Sequence, residues 1–574
     1  MTVRRTAGAV IAGWYEEPVV KRTEESSRSM FQRAVAAALA DAGLRAGDVD
    51  GLAVSGFTLA PDTAVDLAAA CGLRPGWLAT AEPGGSGGLG ALAAACDAVR
   101  AGSASVVVCA SADRTDTASL ASINAGFNTV FAQVLEPVGG AAANIVFGLL
   151  QDQYLERHGL GRADIAHVAV AQRANAGANE RALFREPLTV EGYLEARPVA
   201  EPIHLYDCVL PACGAAAVVV CSAEAAARLG ARARVHVRAM HSSYVPRRRD
   251  AVDLTAMGWR SEADALFAEA GLTRADVDGA QLYDDYPLMV ALQLEELGFA
   301  PPGGGPALAR DAGFGAGAPL PVNTGGGMLG CGQPGGAGGY LPLIEALNQL
   351  DGRFAEVAGG ARQIPGARTQ LVSALGMIDD LGPQSFVTAL LSLDPPPAGA
   401  RPGGGGAGGV GVPGVGAGAA GIPAARATEA MEDDAGDDAM DDVDADDLDR
   451  SPHGGRISVA SPADPSSTPT LPRCTNCGRW AWPELVRCRV CASDVAPAAL
   501  RGVGTVRASV RVHRGVLPQH LADGPYVLVL LDLPEGVRLV TRLDGATERP
   551  AIGTQVQLAM RPLPDGTPWP TATP

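Results

Sequence analysis

Residues 319–340 read PLPVNTGGGMLGCGQPGGAGGY and run directly into an apolar helical pattern, LPLIEALNQL. Because glycine lacks a side chain, this stretch brings backbone amides close to whatever packs against it. The helix that follows begins with unpaired N–H groups and the positive end of its dipole, which favour an anion, a thioester oxygen or a developing enolate. A tight glycine turn without a ligand is the alternative interpretation.

The chain preceding this stretch contains an internal repeat. ALADAGLRAGDVDG at 38–51 recurs as LFAEAGLTRADVDG at 266–279, at an offset of 228 residues. Each copy is a helix, a glycine stop, a turn and a buried strand, so we predict two similar α/β halves with buried parallel strands. Periodicity predicts these elements of the first half: a strand at 7–14, a helix at 29–44, a strand at 49–56, a helix at 87–102 and a strand at 104–112.

The two copies differ where their strands end. The repeat places Tyr283 and Asp284 in the second half where the first half has Ser55 and Gly56. Ligands of α/β sheets bind at the carboxyl ends of the strands. The change from small residues to YDDY therefore marks a candidate site.

Composition limits the class of protein. The 574 residues exceed the ~250–300 of a single core, so more than one domain is expected. The net charge is −18, but residues 429–449 carry twelve carboxylates and no Lys or Arg, which leaves −6 for the rest. The sequence contains no basic patch that would indicate nucleic acid, no apolar run near the ~20 residues of a membrane helix, and no convincing signal peptide.

Cysteines and low-complexity sequence organise the remainder. Seven cysteines follow no disulfide rhythm, which predicts a reducing, cytoplasmic setting. Residues 396–470 are rich in Gly and Pro and then acidic, without apolar periodicity, and we predict a disordered linker.

A cysteine cluster follows the linker. In CTNCGRWAWPELVRCRVC, Cys474 and Cys477 form one C-x-x-C knuckle, and Cys488 and Cys491 a second. Four thiolates in two knuckles are typical of a structural zinc ribbon, predicted at 471–499; free or redox-active thiols are the alternative. Residues 500–570 contain four or five short apolar segments separated by turns, which predicts a small β-barrel.

The residues also resemble a known family. Residues 1–395 resemble the thiolase superfamily, in its sterol-carrier-protein or lipid-transfer-protein branch, through segments 157–220, 281–299 and 319–339. The resemblance implies a five-layer αβαβα fold with halves at 1–230 and 231–395, an acyl-CoA substrate and a homodimer. The C-terminal region resembles the zinc-ribbon and OB-fold domain that accompanies such proteins in acyl-CoA complexes, which implies an acyl-CoA enzyme such as a hydratase as a partner.

The departures from the family pattern concern its catalytic residues. Gly84 occupies the place of the nucleophilic cysteine, Gln333 that of the histidine in a GHP motif, and residues 373–382 lack the late cysteine. Thiolysis by the usual route is therefore not expected. A subset of the branch without the cysteine cleaves β-hydroxyacyl-CoA by a retro-aldol reaction with tyrosines as acid and base. Tyr283 aligns with the first of these tyrosines, Gln333 with the second, and Tyr340 would compensate if it points inward.

These residues define the predicted chemistry. Tyr283 would act as the base for the β-hydroxyl group, while the Gln333 amide and the amides of the glycine loop would stabilise the enolate. A buried core tyrosine without a catalytic role is the alternative. Candidate contacts to CoA are Gly332, Gly335 and Arg248. Arg248 lies within Arg247–Arg249, for which an exposed, solvated basic cluster is the favoured interpretation.

Three functions follow from these residues. The first is an aldolase-type acyl-CoA lyase. The second is an acyltransferase or condensing enzyme with Cys331 as nucleophile, although no partner histidine is evident. The third is an acyl-CoA or lipid-binding scaffold without catalytic activity.

Overall fold

The computed structural model describes the following residues: 2–6, 9–81, 84–115, 123, 128–244, 255–395, 468–482, 487–488, 490–513, 524–562 and 568–574. The described strands are β1 Thr2–Thr6, β2 Ala9–Glu16, β3 Gly51–Ser55, β4 Trp77–Thr80, β5 Val106–Arg114, β6 Pro198–Glu201, β7 Ile203–His204, β8 Cys213–Ser222, β9 Val235–Tyr244, β10 Gly279–Leu282, β11 Thr369–Asp379, β12 Gly382–Ser392, β13 Thr470–Cys474, β14 Val495–Ala499, β15 Val503–Val512, β16 Tyr526–Asp532, β17 Arg538–Arg542, β18 Gln555–Pro562 and β19 Pro568–Thr573.

The described α-helices are α1 Ser27–Ala42, α2 Ala64–Ala70, α3 Gly87–Arg100, α4 Ala143–His158, α5 Arg162–Gly177, α6 Val190–Leu194, α7 Ala223–Leu229, α8 Arg260–Ala270, α9 Pro287–Glu296, α10 Gly305–Ala312, α11 Gly327–Cys331 and α12 Leu341–Leu350. The five elements predicted for the first half are all present, each within about two residues of its predicted ends. Helix α1 starts after Ser26, whose side chain accepts a hydrogen bond from the Ser29 amide, and stops at the left-handed Gly43.

Ten of the described strands form one mixed sheet in the order β4-β3-β5-β8-β2-β9-β12-β11-β10, with β1 also paired to β9. Strands β2 and β9 pair through two residue pairs, so the sheet divides there into two halves. The repeat is confirmed: Gly51 pairs in parallel with Val107 on β5, and its counterpart Gly279 pairs in parallel with Gln370 on β11.

The prediction of parallel strands holds for three pairings, β3 with β4, β3 with β5, and β10 with β11. The other pairings of this sheet are antiparallel. The cause for β11 and β12 is their short connection, because strands joined by a tight turn run in opposite directions.

The helices lie in layers around the two halves. Helix α1 packs on β2, β5 and β8, whereas α8 packs on β9 and β12. Helix α3 contacts strands of both halves, and α12 contacts β2, β10 and β11. Helices α3 and α12 are therefore central and α1 and α8 external, which confirms the five-layer αβαβα arrangement.

The C-terminal region forms a ribbon and a barrel. Strands β13 and β14 pair in antiparallel fashion around the cysteine knuckles, and β15 to β19 form a sheet in the order β17-β16-β15-β18-β19. The sheet is extended by β6 of the α/β region, whose Ala200 pairs with Val512. The buried Asp152 carboxylate of α4 accepts the Ser509 amide at 2.8 Å. The barrel thus packs directly on the α/β region.

The described residues before 396 and after 467 pack into one unit. Most of the predicted linker at 396–470, namely residues 396–467, lies outside the described residues. The predicted domain boundaries stay predictions. Within the described part of the chain, no helix combines the length and the apolar character needed to cross a membrane.

Candidate active site

The candidate site lies where β3 and β10 end against the glycine loop at 319–340. Strand β10 ends at Leu282, whose amide donates to Asn323 Oδ1 at 2.6 Å. The next residue, Tyr283, donates its amide to the Ser373 carbonyl of β11 at 2.9 Å, and its side chain is 2% exposed. The end of β3 reaches the same loop, because Gly56 packs closely against Gly336. The equivalent strand ends of the two halves therefore converge on the glycine loop.

Tyr283 and Gln333 are in direct contact. Gln333 Nε2 donates a hydrogen bond to the Tyr283 hydroxyl oxygen at 2.6 Å. The backbone of Gln333 is fixed on both sides, because its amide donates to the Leu210 carbonyl at 2.8 Å and its carbonyl accepts the Ala212 amide at 3.0 Å. Gln333, which replaces the family's histidine, is thus held against the buried Tyr283.

The ring of Tyr283 occupies the space above Gly85, just before α3. A Cβ atom on Gly85 would lie 2.1 Å from Tyr283 Cζ, the ring carbon that carries the hydroxyl group. Gly85 follows Gly84, the residue in place of the family's nucleophilic cysteine. The ring carbon that carries the hydroxyl group therefore packs one residue after that position, near the start of the central helix α3, where the helix dipole favours negative charge.

The protonation state of Tyr283 follows from its surroundings. Burial raises the pKa of Tyr283 well above its ordinary value, and the Asp285 and Asp284 carboxylates raise it further. The hydrogen bond from Gln333 lowers this pKa, but by less than burial raises it. At neutral pH the side chain is a neutral phenol with one oxygen lone pair engaged by Gln333, so its own proton can point towards a ligand.

Asp284 fixes the glycine loop. Its buried carboxylate accepts the Met328 amide at 2.8 Å, the Leu329 amide at 3.1 Å and Gln172 Nε2 at 2.5 Å. Burial raises the pKa of Asp284 to about 8, against the effect of these three donors. The repeat marked this position, but its contact with α11 required the structure. Asp284 is a positioning residue.

Asp113, at the end of β5, anchors the other side of the loop. Its buried carboxylate accepts the Gly336 amide at 2.6 Å and the amides of Phe57 and Thr58 at 2.8 and 2.7 Å. Burial raises the pKa of Asp113 to about 6. No sequence motif marked Asp113, although an aspartate at the end of the apolar segment VVVCASAD is a usable signal. Because Asp113 engages the Gly336 amide, that amide cannot serve a substrate.

Of the three predicted CoA contacts, Gly332 and Gly335 are described by the structure and Arg248 is not. A Cβ on Gly335 would lie 2.5 Å from Asp113, and one on Gly332 would lie 2.9 Å from Leu183, so packing alone accounts for both glycines. Their contact with CoA stays a prediction. Arg248, with its neighbours at 247 and 249, lies outside the described residues.

Tyr340 lies in the core beside Ser55, at the end of β3. It is fully buried at the start of α12, and the Ser55 hydroxyl of β3 is its polar neighbour, although the two groups do not meet the geometry of a hydrogen bond. Among the described residues, no hydrogen bond joins its hydroxyl to Tyr283 or Gln333. Burial raises its pKa well above the ordinary value. The structure thus gives Tyr340 a core position beside β3.

Cys331 belongs to a neighbouring polar cavity. Its thiol donates to the Gly325 carbonyl at 3.5 Å and accepts Asn179 Nδ2 at 3.3 Å. The cavity, of about 350 Å³, is lined by Cys331 together with Glu16 and Arg362, but not by Tyr283 or Gln333. Burial, and then the charge of Glu16, raises the pKa of the Cys331 thiol. A protonated thiol in this position is a poor nucleophile.

Residues 285 and 286 complete the turn after Tyr283. Tyr286 is 4% exposed, stacks on Phe147 with ring centroids 4.2 Å apart, and donates its hydroxyl to Asn144 Oδ1 at 2.6 Å. Asp285 is half-buried, and among the described residues its buried Oδ1 has no hydrogen-bond partner. The sequence analysis assigned no role to either residue.

The four predicted metal ligands converge in the ribbon. The Sγ atoms of Cys474, Cys477, Cys488 and Cys491 all lie within 4.8 Å of one another. Cys474 and Cys491 are separated by 3.4 Å, and Cys477 and Cys488 by 3.7 Å, close to the ~3.8 Å between sulfurs bound tetrahedrally at ~2.3 Å from a metal ion. The cluster fits a four-coordinate metal ion, and the cysteines are not joined by disulfides.

Two family models match the chain. The model described as Thiolase C-terminal domain-like matches residues 240–381, and the model described as ChsH2, C-terminal OB-fold domain, matches residues 498–561. The match to both shows that the α/β region and the barrel each have known relatives.

This chain matches two relatives with assigned activities over most of the length of each relative. The chain is 31% identical over 375 residues to a 17-hydroxy-3-oxo-4-pregnene-20-carboxyl-CoA lyase of Mycobacterium tuberculosis, covering 62% of this chain and 95% of that protein. It is 32% identical over 346 residues to a steroid side-chain-cleaving aldolase of Thermomonospora curvata, covering 56% of this chain and 85% of that protein. A solved structure described as an Ltp2-ChsH2(DUF35) aldolase superposes with a TM-score of 0.54 and 28% identity, covering 67% of this chain and 97% of that chain.

Proposed function

Because the chain belongs to the thiolase superfamily, in the branch that contains the steroid side-chain-cleaving aldolases, we propose that it cleaves a β-hydroxyacyl-CoA by a retro-aldol reaction. The observation that carries the proposal is the hydrogen bond from Gln333 to the buried Tyr283, whose ring packs on Gly85, the residue after Gly84, where a thiolase has its nucleophile. This arrangement replaces a nucleophile with a proton-transfer group. It suits a reaction that needs no acyl-enzyme.

The reaction divides into two proton transfers. A base removes the proton of the β-hydroxyl group, the bond between the α and β carbons breaks, and a ketone or aldehyde leaves. The electron pair of that bond forms a thioester enolate, which an acid then protonates at the α carbon. Tyr283 is suited to the second transfer, since it is a neutral phenol at neutral pH and its phenolate would be stabilised by Gln333 and by the start of α3.

The substrate class follows from the same relatives. The first relative is named for a CoA thioester with a hydroxyl group at steroid carbon 17, which is β to its carboxyl carbon. We infer that a steroid side-chain β-hydroxyacyl-CoA is the first substrate to test here. A substrate of this kind forms by hydration of an unsaturated acyl-CoA, so a hydratase is the expected partner.

An acyltransferase or condensing activity through Cys331 finds less support. The thiol is buried, its pKa is raised, and its contacts are the Asn179 amide and a backbone carbonyl. A scaffold without catalytic activity is not favoured by a tyrosine placed beside the former nucleophile position.

We also infer a structural zinc ion, a homodimer and a cytoplasmic setting. Zinc is the metal that four cysteines in two knuckles usually bind, and the spacing of the four sulfurs supports it. The homodimer rests on the family resemblance. The cytoplasmic setting rests on eleven cysteines that form no disulfide.

The test of the function is a panel of β-hydroxyacyl-CoA esters, with steroid and straight-chain acyl groups, incubated with the full chain. We expect release of a ketone or aldehyde together with a shortened acyl-CoA, both identified by mass spectrometry. A covalent acyl adduct on Cys331 would select the acyltransferase instead. Tight binding of the esters without turnover would select the scaffold.

A further inference from the structure

The two proton transfers of the proposed reaction require two groups. Among the described residues around Tyr283, one carboxylate has an oxygen without a hydrogen-bond partner. Tyr283 is a neutral phenol at neutral pH, which suits it to donate a proton to the enolate rather than to accept one from the substrate hydroxyl. The base must therefore be sought among the other polar groups of the site.

The neighbouring acidic groups are already engaged. Both oxygens of Asp284 accept hydrogen bonds, from the amides of Met328 and Leu329 and from Gln172. Both oxygens of Asp113 also accept them, from the Gly336 amide on one side and from Phe57 and Thr58 on the other. These two carboxylates hold the loops in place, and each already has donors on both of its oxygens.

The second tyrosine of the YDDY turn is also engaged. Tyr286 donates its proton to Asn144 Oδ1 at 2.6 Å, and its ring is held by Phe147. Burial raises its pKa well above the ordinary value. It neither offers a proton to the substrate nor accepts one at neutral pH.

Asp285 differs from all of these groups. It lies two residues after Tyr283 and directly before Tyr286, which caps α9. The residue is half-buried, and its Oδ1 atom is buried and, among the described residues, has no hydrogen-bond partner. A buried oxygen without a partner is costly, which indicates that a ligand supplies the missing donor.

The charge of Asp285 acts on both tyrosines of the turn. Its charge raises the pKa of Tyr283 more than the charge of Asp284 does, and it also raises the pKa of Tyr286. Burial raises the pKa of Asp285 itself to about 7, the range in which a general base is most effective at neutral pH.

We propose that Asp285 is the catalytic base that accepts the β-hydroxyl proton of the substrate, with Tyr283 as the acid that protonates the enolate. This inference rests on the proposed retro-aldol function. Asp285 Oδ1 takes the proton from the β-hydroxyl group, and the O–H pair becomes the second bond of the new carbonyl. The bond between the α and β carbons breaks into the enolate, and the Tyr283 proton is transferred to the α carbon. The proton on Asp285 returns to the tyrosinate through solvent.

The test separates the two transfers. Asp285→Asn keeps the shape of the side chain but cannot accept the proton, so cleavage of the β-hydroxyacyl-CoA that the parent uses should fall about 10²–10⁴-fold in kcat, with KM little changed. Exchange of the α protons of propionyl-CoA, the acyl-CoA expected from the steroid ester, with deuterated water reverses the second transfer and needs the tyrosinate form of Tyr283. Followed by NMR, it should persist in Asp285→Asn and rise with pH as it does in the parent. Tyr283→Phe should lose both activities. Asp311→Asn, which makes the same change at an exposed carboxylate, is the matched control.

A second variant distinguishes loss of the carboxylate from misfolding. Asp285→Ala should lose cleavage and regain part of it on addition of formate, a carboxylate small enough to enter the vacated space. Cleavage by Asp285→Asn at the parent rate, equal loss of cleavage and exchange, or an Asp285→Ala variant that formate does not rescue would each overturn the assignment. A parent protein that neither cleaves any ester nor exchanges α protons would instead refute the proposed function itself.

Discussion

The close contact between Gly85 and Tyr283 allows a sharp test by a single methyl group. In Gly85→Ala the new Cβ would lie 2.1 Å from Tyr283 Cζ and 2.3 Å from the Leu375 carbonyl oxygen. Carbon atoms in contact are normally ~3.5–4.0 Å apart, so the ring or the start of α3 must move by more than about 1 Å. Overpacking of this kind costs about 1–3 kcal/mol in the free energy of unfolding. A displacement of ~1 Å at a catalytic group lowers the rate about 10²-fold.

The same helix supplies the control. In Gly90→Ala, within α3, the nearest atom to the new Cβ is Ala81 Cβ at 3.9 Å, an ordinary contact. Replacing a helical glycine by alanine without a clash stabilises by about 0.5–1 kcal/mol, so this variant should keep its activity and unfold at equal or higher temperature. The assays are the initial rate of ester cleavage and thermal unfolding followed by circular dichroism. A Gly85→Ala protein with the parent's rate and unfolding temperature would show that the ring does not pack on Gly85.

Three further predictions follow from the site and the ribbon. Gln333→Leu removes the hydrogen-bond donor to the Tyr283 oxygen. The cleavage rate in steady-state kinetics should fall about 5–150-fold, which corresponds to ~1–3 kcal/mol and is a smaller loss than in Tyr283→Phe. An unchanged rate would contradict a catalytic role for this hydrogen bond. Because the folded pKa of Asp284 is raised to about 8, its folded form binds protons that the unfolded chain releases, so its contribution to stability falls as pH rises from about 4 to 8. Urea unfolding should therefore show a smaller difference between pH 6 and pH 8 in Asp284→Asn than in the parent, and an identical difference would argue against a raised pKa. Metal analysis of the full chain should find about one zinc ion, and Cys488→Ser should lose it. Loss of the metal should also red-shift tryptophan fluorescence, because Trp482 of the ribbon packs on Trp569 with ring centroids 5.7 Å apart. Retention of the metal by Cys488→Ser would contradict the predicted ligand set.

Short motifs predicted the parts of the site that depend on local sequence. Tyr283 and Gln333 each lie in a motif of a few residues, LYDDY and GQP, and the fold joins them by a hydrogen bond across 50 positions. The two halves were evident because the repeat preserves both the helix stop and the strand that follows it. The cysteine ligands were predicted from their spacing alone, and the structure brings all four together.

Other features depend on contacts between distant segments. Asp113 meets Gly336 across 223 positions, and no local pattern encodes that pairing. Strand directions depend on how strands are connected, so the apolar segments of β8 and β12 did not reveal that they run antiparallel to their neighbours. The addition of β6 to the barrel joins residues more than three hundred positions apart. The neighbours of Tyr340 depend on how the end of the glycine-rich stretch packs against β3, and the local sequence does not specify that packing.

The measurement that tests the account most directly is the cleavage rate of Tyr283→Phe. This change removes one oxygen from the buried pair and leaves the packed ring in place. With the β-hydroxyacyl-CoA ester that the parent cleaves, single-turnover release of the ketone or aldehyde should slow by about 10²–10⁴-fold, the usual contribution of a positioned acid or base, while the dissociation constant of the ester changes little. If Tyr283→Phe releases the product at the parent rate, Tyr283 takes no part in the reaction and the aldolase mechanism proposed here is wrong.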